Sequence, residues 1–374
     1  MTAGWTDVPW RLSANRVERF YRGGALLDAF RGLPDAGDTN RPEDWLGSST
    51  AAWTPPGAPA TEEGLGWAEV GGERRRVVDL VEADPVSVAG GGAPPGSATT
   101  GILVKLLDAA SRLPVHAHPD RPFARDHLGS PYGKAEAWIV LGTRRIDGEP
   151  APHVRLGFGR DVSRDELRGW VGGGGRAIRD AMTVRPTKPG DVWLVPPGVP
   201  HAIGAGVFLL EVQEPTDFSI VLETAGFPVV EADAHLRLGW ETALDAIDRA
   251  ALSDAAVDGL RGGTWLVPDA PVGRRPLLPT AADAWFGAEA VVAQGGGAVE
   301  LADDDRFRIG VVTAGAGSVR TRGGALELAV GDAFGLPAAT AGAAIETDDR
   351  LELIVCAPSG PAGRSIAEDD HARS

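Results

Sequence analysis

Two short stretches constrain this chain more than anything else in it. The first, Leu113 to Glu136, reads LPVHAHPDRPFARDHLGSPYGKAE, and the second, Val195 to His201, reads VPPGVPH. His116 and His118 stand two apart, so a β-strand through them turns both imidazoles to one face. Glu136 adds a carboxylate, and His201 follows a Pro-Pro-Gly turn. The strand expected before that turn, Asp191 to Val195, itself follows a tight turn at Lys188-Pro189-Gly190. A lone His-x-His is an ordinary accident, and a lone Pro-x-Gly-x-x-His is ordinarily a turn. Set in two strand-and-turn contexts of one chain, His116, His118, Glu136 and His201 read as a three-histidine, one-carboxylate metal site. Such donors suit zinc, iron, manganese, nickel or copper, and a strand-borne set can leave one side open to a substrate. His127, His153, His235 and His371 have no such setting and read as surface or structural residues.

The rest of the chain must bring those four residues together, and its size allows this. A sequence of 374 residues predicts two domains, or one large two-barrel unit, with ample core. The formal net charge of −16 argues against nucleic acid or an anionic membrane as a partner, since either needs a basic face. An anionic substrate would likewise need local cations at the site. The single cysteine, Cys356, lies in the apolar run Leu351 to Ala357, where a small buried hydrophobe is its expected role. One cysteine excludes a disulfide within the chain, which fits a reducing cytoplasm. The first residues show no apolar signal core and no stretch is long enough to span a bilayer, so a cytoplasmic location is expected; a monomer or homodimer is expected as well. Only three lysines occur, Lys105, Lys134 and Lys188, and Lys134 stands two residues before Glu136.

Taken in order, residues 1 to about 95 read as short strands and turns. Ala89 to Ser97, AGGGAPPGS, is a loop without the Gly-Lys-Ser/Thr of a phosphate-cradling P-loop. Ile102 to Leu107, Ala137 to Leu141 and Val207 to Val212 are apolar enough for buried strands. Between the last two the period changes: Ser163 and Glu166 form a capping-box pattern, Leu167, Trp170 and Val171 give one helical face, and Gly172 to Gly175 stops it. A second short helix is expected at Ala177 to Met182, so a helical insertion occupies about 160–183. An amphipathic helix is expected at about 241–252, with Leu244, Ile247 and Ala251 on one side. Short strands resume at Ala288 to Ala293, Phe307 to Val312, Gly317 to Thr321, Leu326 to Leu328 and Leu351 to Cys356. Gly331-Asp332 before Leu336-Pro337 echoes Gly190-Asp191 before Val195-Pro196, yet Gly342 stands where the first unit has His201. The expected architecture is mainly β: two cupin, or jelly-roll, barrels, residues 1–260 carrying the site and residues 261–374 a degenerate partner without ligands, hence one metal per chain.

These motifs resemble the type I phosphomannose isomerases, metal-dependent enzymes of two cupin barrels. The resemblance covers most of the chain. It is carried by Pro42-Glu43-Asp44-Trp45-Leu46-Gly47, His118-Pro119-Asp120, Gly133-Lys134-Ala135-Glu136, Val195-Pro196-Pro197-Gly198 with His201-Ala202-Ile203-Gly204, and Leu210-Glu211-Val212-Gln213 with Asp217. It implies zinc held by His118, Glu136 and His201, with Lys134 and Glu211 lining the sugar site and Glu43 as a further candidate. Three departures accompany it. The family usually has glutamine where this chain has His116, serine where it has Pro114, and arginine where it has Val221. The last two belong to the substrate and phosphate end of the family's site, so the resemblance leaves the phosphate without its usual partners unless Arg121, Arg125 or Arg155 replaces them.

The resemblance implies an aldose–ketose isomerase that moves a proton between adjacent carbons of an open-chain sugar, mannose 6-phosphate or a related sugar, through a cis-enediol. A metal would act as Lewis acid, and Glu211 and Lys134 are the proton-handling candidates. The same ligand set also suits a cupin oxygenase with iron or copper, whose pocket would be more apolar, or a non-catalytic sugar-binding cupin.

Overall fold

The computed structural model describes residues 4–34, 37–94, 97–171, 173, 175–267, 269–302 and 304–360. His371 lies outside these residues, as do Gly172 and Gly174 of the expected helix stop and Pro95 and Gly96 of the expected loop. Among the described residues the chain forms three sheets of six, five and eleven strands, and it is mainly β with a cupin-type architecture, as expected.

The six-stranded sheet runs in the order Val192–Val195, Glu136–Thr143, Val207–Gln213, Leu103–Ala109, Glu43–Leu46, Arg16–Val17. Its central strands read as almost unbroken apolar runs because both faces are buried. One face carries Leu107, Trp138, Val140, Trp193 and Leu209, which pack with Val154, Leu156 and Ile203 of the five-stranded sheet. The alternate residues, among them Leu106, Ile139, Leu194, Phe208 and Leu210, share a second core with Phe307, Ile309, Val311, Ile354 and Cys356 of the C-terminal sheet. Cys356 is thus the small buried hydrophobe expected, and burial pushes its thiol up from its ordinary value.

The five-stranded sheet runs Met182–Pro186, His153–Phe158, His201–Ile203, His116–Ala117, Ile220–Val221. The helical insertion covers this sheet: Leu167 and Ile178 pack with Phe158, Ala202 and Ile220. The first insertion helix, Arg164–Trp170, begins with the capping box read from Ser163 and Glu166, and the second spans Arg176–Ala181.

Two expectations are corrected. The helix at 241–252 is only Trp240–Ala243, followed by a 3₁₀ turn at Leu244–Ala246. Beyond it the backbone N–H groups are taken by partners elsewhere: Asp248 donates to the Gly198 carbonyl (2.8 Å) and Leu252 to that of Phe158 (2.7 Å). An apolar stripe marks which side chains are buried, and here tertiary hydrogen bonds outweighed helical ones. The N-terminal segment also holds three short helices, Ala25–Phe30, Val77–Ala83 and Pro85–Ala89.

The eleven-stranded sheet draws on both ends of the chain. Phe286–Gln294, Arg350–Pro358, Arg308–Arg320 and Ala333–Leu336 continue into Trp10–Leu12, Trp67–Val70 and Glu73–Arg76. The strands expected at 307–312 and 317–321 are one strand, Arg308–Arg320, whose register against Arg350–Pro358 shifts between Val312 and Ala314. The echo between the two halves is structural. Asp191 Oδ2 accepts from the Lys188 N–H at 3.0 Å, and Asp332 Oδ2 accepts from the Ala329 N–H at 2.9 Å. Gly190 (φ 96°) and Gly331 (φ 87°) precede these aspartates in the left-handed region that favours glycine.

Candidate metal centre and substrate cavity

The two sheets of the first barrel bring the predicted ligands together from opposite sides. His201 sits directly opposite His116 on neighbouring strands of the five-stranded sheet, and His118 follows one residue after the same short strand. Glu136 begins a strand of the six-stranded sheet, paired with Val195 on one side and Gln213 on the other. His116, His118 and His201 are buried, and among the described residues they form a group whose ligand atoms all lie within 4.8 Å of one another. Glu136 Oε2 is 3.0 Å from His118 Nε2, and Oε1 is 3.3 Å from His201 Nε2.

Local hydrogen bonds orient each imidazole. Nδ1 of His116 meets the Pro114 carbonyl at 2.9 Å, Nδ1 of His118 that of Phe218 at 2.7 Å, and Nδ1 of His201 that of Val199 at 2.8 Å. A carbonyl only accepts, so each Nδ1 carries the proton and each Nε2 presents a lone pair. The rings stay neutral. Burial, then the neighbouring His201 and His118, push His116 well below its ordinary value; burial, then Lys134, push His118 down to about 3; and burial lowers His201. His116 Nε2 and His201 Nε2 are nevertheless 3.0 Å apart. Two lone pairs at that distance repel unless a cation lies between or beside them. Burial works against ionisation of Glu136, but Lys134, His118 and His201 hold its carboxyl well below the usual range. The Trp138 indole donates to Oε1 at 3.0 Å, while Oε2 is buried without a hydrogen bond of proper geometry despite the Lys134 ammonium beside it. Three aligned imidazole lone pairs and an under-satisfied carboxylate oxygen fit a divalent metal ion.

Lys134 precedes the Glu136 strand rather than lying in it, yet its ammonium reaches the same point, 3.1 Å from Glu136 Oε2 and 3.0 Å from His118 Nε2. The remaining candidates lie along the inner face of the six-stranded sheet. Trp45, Lys105, Glu211, Trp138 and Trp193 form one cross-strand row. Lys105 Nζ is 3.3 Å from Glu211 Oε1, 3.8 Å from Glu43 Oε2 and 4.5 Å above the Trp45 ring. Burial, then the Glu136 charge, raise the Glu211 carboxyl above its ordinary value. Burial acts on Glu43 in the same direction, but Arg19 and Lys105 outweigh it and hold that carboxyl at about 2. Glu43 accepts from the Tyr21 hydroxyl (2.5 Å) and the Trp45 indole (2.7 Å), and Arg19 lies 3.1 Å away.

These groups open onto a cavity of about 550 Å³, lined by His116, Lys134, Glu211, Glu43, Lys105 and Arg19 among others, whereas His118, Glu136 and His201 sit behind its wall. Pro114 and Val221, where the chain departs from the family's motif, both line it. Arg121, Arg125 and Arg155 do not: Arg121 turns to Glu214 (2.6 Å), Arg125 to Asp126 (3.0 Å) and Arg155 to the Arg179 carbonyl (2.7 Å). Sequence reading missed Lys105 and Arg19. A lysine inside the apolar strand Leu103–Ala109 was a usable signal, because a charge buried there needs a partner. Arg19, in a polar context, offered none.

No family model matches the chain. Among curated proteins, the mannose-6-phosphate isomerase of Streptococcus mutans is 37% identical over 120 residues, covering 31% of this chain and 34% of that protein. A mannose-6-phosphate isomerase of Bacillus subtilis is 33% identical over 118 residues, with the same shares of 31% and 34%. The chain therefore spans about a third of the length of these curated relatives. In fold the match is nearly complete. An Archaeoglobus fulgidus protein described as a mannosephosphate isomerase superimposes with a TM-score of 0.70 at 22% identity, over 94% of this chain and 98% of that one. The Bacillus subtilis mannose 6-phosphate isomerase structure does so with a TM-score of 0.65 at 21% identity, over 93% and 99%. This chain is similar to the mannose-6-phosphate isomerases in fold over nearly its whole length and, at 33–37% identity, in sequence over about a third of it.

Proposed function

We propose that this protein is a metal-dependent aldose–ketose isomerase acting on a sugar or sugar phosphate of the mannose 6-phosphate kind. The observation that carries the reading is that three neutral imidazole Nε2 atoms and the Glu136 carboxylate gather at one point beside a cavity whose walls hold Lys134, Glu211 and Lys105. The curated relatives named mannose-6-phosphate isomerase support it. His116, His118, Glu136 and His201 would hold the ion, zinc by family resemblance. When bound, it supplies Lewis-acid stabilisation of negative charge on the sugar oxygens.

The chain's own residues handle the protons. Glu211 is the candidate base that carries a proton between adjacent sugar carbons through a cis-enediol. Its raised carboxyl pKa brings it nearer the range in which a base both accepts and returns a proton. Lys134 donates a hydrogen bond to the oxygen on which charge develops. Lys105 and Glu43 act as positioning residues. Lys105 orients Glu211, and Glu43, saturated by Tyr21, Trp45 and Arg19, holds Lys105 in turn. Charged walls of this kind suit proton transfer better than oxygenation of an apolar substrate.

The reading is tested by incubating zinc-loaded protein with aldoses and ketoses, free and phosphorylated, in deuterium oxide. Deuterium incorporation at C1 or C2 is expected, and Glu211→Gln should slow it by about 10²–10⁴-fold with metal content unchanged. Absence of exchange from every sugar, or oxygen consumption by an iron- or copper-loaded protein, would sink the isomerase reading.

A further inference from the structure

The cavity is acidic and apolar where a phosphorylated substrate would need free cations. Five carboxylates line it, Glu18, Glu43, Glu211, Asp217 and Asp233, against three cations, Arg19, Lys105 and Lys134. None of the three cations is uncommitted. Arg19 is 3.1 Å from Glu43 and 3.3 Å from Asp217; Lys105 is 3.3 Å from Glu211 and 3.8 Å from Glu43; Lys134 is 3.1 Å from Glu136. A phosphate dianion draws its affinity from uncommitted arginine, lysine or backbone N–H donors.

The helix that starts at the wall does not fill the gap. The short helix Glu231–Ala234, which starts at the cavity wall beyond Val230, carries Glu231 and Asp233 in its first turn, and the N–H groups of Asp233 and Ala234 already donate to the Val230 carbonyl. Apart from polar groups such as Ser219 and His116, much of the remaining wall is hydrocarbon: Pro114, Val221, Val229, Val230 and Leu236, with Val221 directly opposite His116 across the strand pair. A dianion placed against this surface would lose its hydration, face carboxylates on several sides and meet no cation that is not already paired.

Resting on the isomerase reading above, we propose that the substrate is an uncharged sugar, an unphosphorylated aldose and its ketose. Its hydroxyls donate to Glu211 and Asp217, and its far end lies against the Pro114, Val221 and Val230 wall. Neutral hydroxyls match the excess of acceptors, and the valine wall takes the carbon faces of the sugar.

The test separates charge preference from turnover. Zinc-loaded full-length protein is titrated calorimetrically with mannitol and with mannitol 1-phosphate, two unreactive open-chain analogues that differ only in the phosphate. Mannitol is expected to bind more tightly by about tenfold or more, because like-charge juxtaposition opposes the phosphate. Equal or tighter binding of mannitol 1-phosphate, or binding of neither, overturns the proposal. Val230 is 60% exposed at the cavity wall, so Val230→Arg adds a cation without burying it. It is expected to narrow the gap by about tenfold, and an unchanged gap also overturns the proposal. Preferential binding of mannitol with no deuterium exchange in any sugar supports the charge preference while rejecting the isomerase reading.

Discussion

At the residue scale the site is a set of buried charges that hold one another in place. Glu43, Lys105, Glu211, Lys134 and Glu136 are all nearly inaccessible to solvent, and each has a partner of opposite sign. Removing one partner of such a pair strands the other as an uncompensated buried charge, which commonly costs about 3–5 kcal/mol. Glu43 gives the clearest pH signature. Its carboxyl is held at about 2 against an ordinary value of 4.5. A depressed folded-state pKa stabilises the protein above the unfolded-state value, and the stabilisation is lost as pH falls through the folded one. The window is therefore pH 4.5 down to about 2, and the contribution is on the order of 3 kcal/mol. Thermal unfolding of Glu43→Gln across this window should show a shallower loss of stability than the parent protein, with the two curves converging at the acid end. Parallel curves would show that Glu43 is not so held. The imidazoles and Glu136 were legible from spacing, because a His-x-His pair and a turn-borne histidine announce themselves. Arg19 and Tyr21 were not, since nothing local distinguishes them from surface residues; they matter only because the tertiary fold brings them to the cavity beside Glu43.

At the scale of elements, tight turns register the strands in both halves. The aspartate after each glycine accepts from the backbone N–H three residues back, and both glycines have positive φ. Their surroundings differ. A Cβ on Gly331 would lie 2.1 Å from the Phe30 carbonyl oxygen, whereas one on Gly190 would meet the Thr264 Oγ1 at 2.7 Å, a side-chain atom that can rotate away. Both alanine variants carry the left-handed penalty of about 1–2 kcal/mol, and Gly331→Ala adds an overpacking cost of about 1–3 kcal/mol. Differential scanning calorimetry should find Gly331→Ala the less stable of the two; equal melting temperatures would mean that the Phe30 segment yields freely. Local patterning was reliable for these turns and for the Ser163 capping box because hydrogen bonds three residues apart decide them. It failed at 241–252, where the chain beyond Ala246 bonds to the loop at Gly198 and the strand at Phe158 instead of to itself.

At the scale of the molecule, the sheet that carries Glu136, Lys105 and Glu211 has no free face. Its inner side forms the cavity wall, and its outer side packs against Ile309, Val311, Ile354 and Cys356. Trp10–Leu12 is paired with Ala333–Leu336 on one edge and Trp67–Val70 on the other, so the N-terminal strands extend the C-terminal sheet. A fragment of residues 1–260 would therefore expose Leu106, Ile139, Phe208 and Leu210 and leave Trp10–Leu12 unpaired along one edge. Such a fragment should show no cooperative thermal transition by circular dichroism and should bind zinc more weakly than the full chain. A sharp transition near that of the intact protein would show the first barrel to be self-sufficient.

Alternating and continuous apolar runs, turn glycines and the order of histidines and glutamate were enough to point to a mainly β protein with one candidate metal point, because strands, turns, the His-x-His pair and the turn-borne His201 each leave a signature among neighbouring residues. Only the tertiary structure decided what surrounds that point. Which cations are already neutralised, which wall is hydrocarbon and which carboxylate keeps a raised pKa all depend on segments remote in sequence meeting inside a low-dielectric interior, where a few ångströms separate a paired charge from a free one.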